Sequence, residues 1–126
     1  KTNDPGFLKE INKHHIIALV ETHSTDDKPI AIEGYHAYQV NRSKAHGGVA
    51  FIIKKELRAG VKFYPAQTSD MLWISLKKEF FKLQADLYIG AAYVPPVNSS
   101  NARKREYDIF ECIEQEIFKY SLRAKQ

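Results

Sequence analysis

A carboxylate, a hydroxyl and an imidazole stand in a row at Glu21-Thr22-His23, directly after the apolar run Ile16-Ile17-Ala18-Leu19-Val20. These side-chain types can ligate a cation or approach a phosphate, provided that a rigid element presents them. Strict alternation along the run puts Ile17 and Leu19 on the face of Glu21, and Ile16, Ala18 and Val20 on the other. Both faces are apolar, the pattern of a central strand covered on two sides. A carboxylate at the C-terminal end of such a strand occupies the crevice where open α/β sheets place their ligands. Taking that charge out of water is costly unless it is paired, so a metal cation or an Arg or Lys is expected beside Glu21. The plain structural alternative is a strand-end glutamate satisfied by a neighbouring lysine.

Other residues could join this chemistry. Tyr93 closes a second apolar run just before Pro95-Pro96, where a tyrosine by itself reads as a core residue with its hydroxyl wet. Arg42 and the cluster Arg103-Lys104-Arg105 could hold backbone phosphates, and the cluster reads equally as a solvated charged face. His23 could touch a nucleic acid at the mouth of the strand or be an ordinary surface histidine. Cys112, the single cysteine, lies near the apolar side of a helix and reads as packing. It excludes an intrachain disulfide framework and a Cys-based metal centre, and points to a reducing, intracellular compartment.

The elements that must position these residues fit one domain of 126 residues, 44% hydrophobic with net charge +4. The basic bias favours a polyanionic partner. No stretch reaches the roughly 18 to 20 apolar residues of a membrane span, and Lys1-Thr2-Asn3-Asp4 does not resemble a signal sequence. The chain does not start with methionine and is expected to be cut from a longer one.

Asp4-Pro5 can cap and start a short helix with Phe7, Leu8 and Ile11 on one face, followed by the Glu21 strand. A hairpin is expected from a strand at about Ala37 to Asn41 and a second over Val49 to Lys54, with Gly47-Gly48 serving a tight turn or bulge. Leu57 to Gly60 breaks the pattern. A second pair follows, Met71 to Leu76 and Leu87 to Val94, joined by the basic turn Lys77 to Lys82. In it Leu72, Ile74 and Leu76 share a face opposite Trp73, and Leu87, Ile89, Ala91 and Tyr93 share another. After a helix-starting loop at Asn98 to Asn101, Phe110, Ile113, Ile117 and Tyr120 mark an amphipathic helix.

These segments, taken in order, resemble the endonuclease/exonuclease/phosphatase superfamily. Ile16-Ile17-Ala18-Leu19-Val20-Glu21-Thr22 is similar to its "DIIxLxET" strand, and Arg42 with Gly47-Gly48-Val49-Ala50-Phe51-Ile52-Ile53 to its "R…GGVAIxI" hairpin. Leu72-Trp73-Ile74-Ser75-Leu76, then Leu87-Tyr88-Ile89-Gly90-Ala91-Ala92-Tyr93-Val94-Pro95-Pro96, resembles "LWIxL…LxIGxxYxPP" of the endonuclease domains of non-LTR (LINE-type) retrotransposons.

The resemblance implies a mixed α/β chain forming part of a four-layer sandwich, two mixed sheets face to face with helices outside, the deoxyribonuclease I-like fold. It makes Glu21 the metal-binding glutamate, holding Mg²⁺ or Mn²⁺, and Tyr93 the active-site tyrosine. The implied partners are DNA, the remainder of the endonuclease domain and a reverse transcriptase in the same polypeptide, with no membrane and with action in the nucleus. Segments similar to the family's "GDFN" and "SDH" are missing from these 126 residues, as is a first strand bearing its metal-binding Asn. Residues 1–126 are therefore expected to be a partial domain with roughly one sheet, leaving bare either the face of Leu72, Ile74 and Leu76 or the face of Trp73. A non-catalytic interaction module and a phosphatase acting on a lipid or inositol phosphate are the competing readings.

Overall fold

The computed structural model describes residues 5–6, 15–22, 29–40, 48–68, 70–94 and 108–124. Pro5 and Gly6 are helical; the rest of the expected N-terminal helix lies outside these residues. Six strands follow: β1 (Ile16–Val20), β2 (Tyr35–Val40), β3 (Val49–Lys54), β4 (Val61–Pro65), β5 (Met71–Leu76) and β6 (Leu87–Ala92). A 3₁₀ segment, Lys55–Gly60, joins β3 to β4, α1 (Lys78–Phe81) lies between β5 and β6, and α2 (Ile109–Ala124) comes last. The chain is thus mixed α/β.

The strands form two three-stranded sheets, ordered β1-β3-β2 and β4-β5-β6, and every pairing is antiparallel. Two expectations are corrected here. The described strands make two sheets rather than one, and neither sheet is mixed. The physical reason is β4: Val61 and Phe63 alternate with Lys62 and Tyr64, so a half-buried strand, for which the sequence reading has no element, pairs with β5. Pro65 is tolerated at its end because β4 is an edge strand among those described.

The sheets pack face to face. Val49, Phe51 and Ile53 of β3 meet Leu72, Ile74 and Leu76 of β5, while Tyr38 of β2 stacks on Phe63 of β4 with ring centroids 5.5 Å apart. β1 correspondingly lies over β6. The outer side of the first sheet is covered by Ile30 and Ile32, which pack on Ala50, Ile52, Ile17 and Leu19. The outer side of the second sheet carries α2, through Ile109 and Cys112 against Met71 and through Tyr120 against Trp73.

Neither face of β5 is therefore bare: Leu72 and Ile74 are fully buried by the first sheet, and α2 lies over Trp73. The expected uncovered face is corrected on the same ground. The helix also seats differently from its expected stripe. Its buried positions are Ile109, Cys112, Glu116 and Tyr120, whereas Phe110 and Ile117 are 64% and 50% exposed. Spacings of three and four allowed either stripe, and a polar residue at 116 hid the true one. The Glu116 carboxylate is reconciled with burial by accepting the Gln67 backbone N–H at 3.0 Å. Asp108 caps α2, its Oδ1 accepting the N–H groups of Phe110 and Glu111.

Candidate functional site

β1 and β6 belong to different sheets, and their C-terminal ends converge. β1 is cut short at Val20 because Glu21 takes a left-handed backbone conformation, φ 53°. That conformation is uncommon for a side chain larger than glycine, and it breaks the alternation of the strand. Ile17 and Leu19 stay on the outer face with the Ile30 cluster, whereas Glu21 turns toward the space between the sheets. The expectation that Glu21 shares the face of Ile17 and Leu19 is thereby corrected. So is the expectation of a central strand: β1 pairs only with β3 among the described strands, and Val20 is half exposed.

Tyr93 arrives from the other sheet. Ile89, Ala91 and Tyr93 follow one another on the inner face of the β6 segment, and Tyr93 is 6% exposed within the inter-sheet core. Its backbone N–H donates to the Asp70 carbonyl at 2.8 Å, which fixes the chain just past the strand. Its hydroxyl reaches the mouth of the core and donates to Glu21 Oε1 at 2.8 Å. A phenol buried to that degree needs a partner for its hydroxyl, and the glutamate supplies one across 72 positions of sequence.

Glu21 itself stays solvent-exposed. No cation is needed to offset its burial, and the partner the structure gives it is a neutral hydroxyl rather than the expected Arg or Lys. Oε2 is left to accept from water or to bind a cation. Beside it Thr22 is held by its N–H to the Gly48 carbonyl at 3.4 Å, and the Thr22 side chain lies against Gly48, where any Cβ would collide with Oγ1. Gly48 has φ 97°, so its position needs glycine both for backbone and for space. Thr22 Oγ1 is buried and has no hydrogen-bond partner.

Among the described residues no group of three or more His, Cys, Asp and Glu side chains is gathered as a metal cage. The donor set at the mouth is a single carboxylate, one of whose oxygens accepts the Tyr93 hydroxyl. It suits Mg²⁺, which retains several waters and is commonly held by one or two carboxylates, far better than a dehydrated Zn²⁺.

His23, Arg42, Arg103, Lys104 and Arg105 lie outside the described residues. Asp70 was missed from sequence: it is fully buried at the start of β5 and sets the backbone of Tyr93. The signal available was an acid two residues before Leu72, where a strand running into the core leaves little water. Cys112 packs as expected, 8% exposed, and burial followed by the carboxylates of Glu111, Asp108 and Glu116 pushes its thiol up, away from the reactive thiolate. No helix among the described residues is long and apolar enough to cross a membrane. Against family models, curated proteins and solved structures, no match to the chain was found.

Proposed function

We propose that the chain supplies one wall of a Mg²⁺-dependent phosphodiesterase site, that of a DNA-nicking endonuclease domain of LINE-type retrotransposon character. The observation that carries this reading is the 2.8 Å hydrogen bond from the Tyr93 hydroxyl to Glu21, made between the ends of strands from two sheets. Two motifs chosen for their resemblance to one family, 72 positions apart, meet at a solvent-facing mouth.

Hydrolysis of a phosphodiester builds negative charge on the leaving oxygen, and a Mg²⁺ held by Glu21 Oε2 would neutralise it. Glu21 orients Tyr93 by accepting a hydrogen bond from its hydroxyl, which fixes the phenol at the mouth where a DNA backbone would pass. The buried Tyr93 ring and its hydrogen bond to Glu21 hold the pair together before a substrate arrives, which removes an ordering cost from the reaction. The basic chain, net +4, assists approach of DNA by charge. The nucleus follows as the place of action, and DNA, the remaining part of the domain and a reverse transcriptase follow as partners.

The further acids and histidine of the resembled family are not among these 126 residues. Residues 1–126 should accordingly bind Mg²⁺ weakly and leave supercoiled plasmid intact, whereas a polypeptide carrying the complementary segments nicks it. Glu21→Ala should abolish that nicking, and Tyr93→Phe should lower it by up to about 10²-fold, the size of a lost positioning contact. Strong nicking by residues 1–126 that survives Glu21→Ala would place the chemistry elsewhere.

A further inference from the structure

The two flanks of the sheet pair are finished differently. On one flank the edge strands β2 and β4 carry His36, Lys62 and Pro65, residues of the kind that discourage a further strand from adding. On the other flank β1 reads Ile-Ile-Ala-Leu-Val and β6 reads Leu-Tyr-Ile-Gly-Ala-Ala, without a charge or a proline. The Tyr93 N–H points toward β5, where it meets the Asp70 carbonyl. Peptide groups of an antiparallel strand alternate in direction, so those of Tyr88, Gly90 and Ala92 point away from β5. Among the described residues they meet no backbone partner. A row of unspent N–H and C=O groups is complementary to another extended backbone.

α2 continues this open flank. Phe110, Ile113 and Ile117 share one of its faces, and Phe110 and Ile117 are largely exposed, as is Leu87 at the start of β6. Under Ile113 and Ile117 the small residues Gly90 and Ala92 leave a hollow of about 140 Å³. Which strand fits is written in β6 itself: its first half, Leu87-Tyr88-Ile89, is bulky, and its second half, Gly90-Ala91-Ala92, is small. Laid antiparallel on a copy of itself about Gly90, the strand sets Tyr88 opposite Ala92 and Ile89 opposite Ala91. Bulk meets small on both faces, each residue keeps its face, and no like charges oppose. The outward groups of Tyr88, Gly90 and Ala92 are the ones that this register joins.

We propose that β6 pairs with β6 of a second copy of this chain about a two-fold axis at Gly90, turning two three-stranded sheets into one of six strands. Such a contact is isologous and closes on itself. Tyr88 of each copy then stands beside the hollow of the other, and the Phe110–Ile117 faces of the two α2 helices turn toward the axis. β1 follows the same symmetry, because Ala18 precedes Glu21 by as many positions as Gly90 precedes Tyr93, and the Glu21–Tyr93 bond ties the two strands. Six residues of β6 and three layers about 10 Å apart make a flank of about 20 by 25 Å, hence about 1,000 Å² over both copies, the lower bound of a specific interface. The dimer is accordingly reversible, and it does not depend on a metal at Glu21.

Sedimentation of residues 1–126 should show monomer passing to dimer and no further, with half conversion at about 10 to 100 µM. Ile117→Lys and Leu87→Lys, both at half-exposed positions, should each weaken the dimer at least about tenfold at an unchanged thermal midpoint, since every copy brings its own charge to the axis. Phe118→Lys, more exposed but about 100° away around α2, should leave it intact. In the unsubstituted chain, exchange of the Tyr88, Gly90 and Ala92 amides should slow as protein concentration rises, while that of Ile89 and Ala91 stays constant. A monomer up to about 1 mM would assign the flank to another occupant and overturn the proposal. Growth beyond dimer, equal weakening by Phe118→Lys, a dimer untouched by Ile117→Lys and Leu87→Lys, or exchange at those three amides that ignores concentration would each overturn it as well.

Discussion

The two faces of the second sheet are built from different chemistries. The inner face is apolar and mostly aliphatic, with Leu72 and Ile74 fully buried against Val49, Phe51 and Ile53. The outer face is aromatic and keeps polar atoms inside, among them Trp73 Nε1, the Tyr120 hydroxyl and the Glu116 carboxylate. Apolar contacts are non-directional, so the inner face can clamp two sheets together and hold the ends of β1 and β6 in register. Hydrogen-bonding groups are directional and leave valences unspent, so the outer face can stabilise less but recognise more. The Glu21–Tyr93 pair sits at the rim of the apolar layer, where one phenol and one carboxylate are the last polar groups before solvent.

The largest test of this contrast is truncation on each side. Ile74→Ala should cost about 3 to 4 kcal/mol in urea unfolding, because a fully buried side chain leaves a cavity between two sheets. Ile117→Ala on the half-exposed flank of α2 should cost under about 1 kcal/mol. Equal losses would mean that α2, not the inter-sheet layer, is the mechanical core. Gly90→Ala comes next, at about 1 to 3 kcal/mol, since its methyl would meet the Trp73 ring and the ring is wedged by Tyr120. A shift in tryptophan emission should accompany that loss. An unchanged spectrum with full stability would show the indole free to move.

Asp108→Ala should remove about 1 kcal/mol by taking the cap from α2. It sharpens the comparison because the loss should appear as fraying of the helix in hydrogen exchange, with amides of β3 and β5 unaffected near their midpoints. The smallest effect belongs to His36, outside both layers of the second sheet. Burial, then Arg58 and Lys55, lower its affinity for a proton in the folded state. The unfolded chain therefore binds more protons, and stability should decline modestly as pH falls through about 6.5 toward the lowered folded value. His36→Gln should flatten that slope; a slope of opposite sign would mean that the folded protein favours the imidazolium.

Much of the inner layer was legible because alternation has only two solutions. The β5 register of Leu72, Ile74 and Leu76, the β2–β3 hairpin and the inward set Ile89, Ala91 and Tyr93 follow from period two alone. β4 was not legible, since its five residues end in proline and follow a glycine that reads as an interruption. The stripe of α2 was misread because sequence pattern counts apolar residues, and its contact surface includes Glu116 while omitting Phe110. At the site, the residue types Glu21 and Tyr93 could be picked out, but not how they meet. A positive φ at a glutamate has no signature in composition, and it is this dihedral that turns the side chain from the Ile17 face to the Tyr93 hydroxyl.

The most direct measurement is paramagnetic broadening by Mn²⁺ in NMR spectra of the full chain. A cation held at Glu21 Oε2 should broaden Glu21, Thr22, Gly48 and the Tyr93 ring first, at sub-stoichiometric Mn²⁺, with Mg²⁺ competing. Glu21→Ala should erase that pattern while leaving the β3 and β5 signals in place. Broadening that begins at other carboxylates and persists in Glu21→Ala would contradict a metal-dependent site at the ends of β1 and β6.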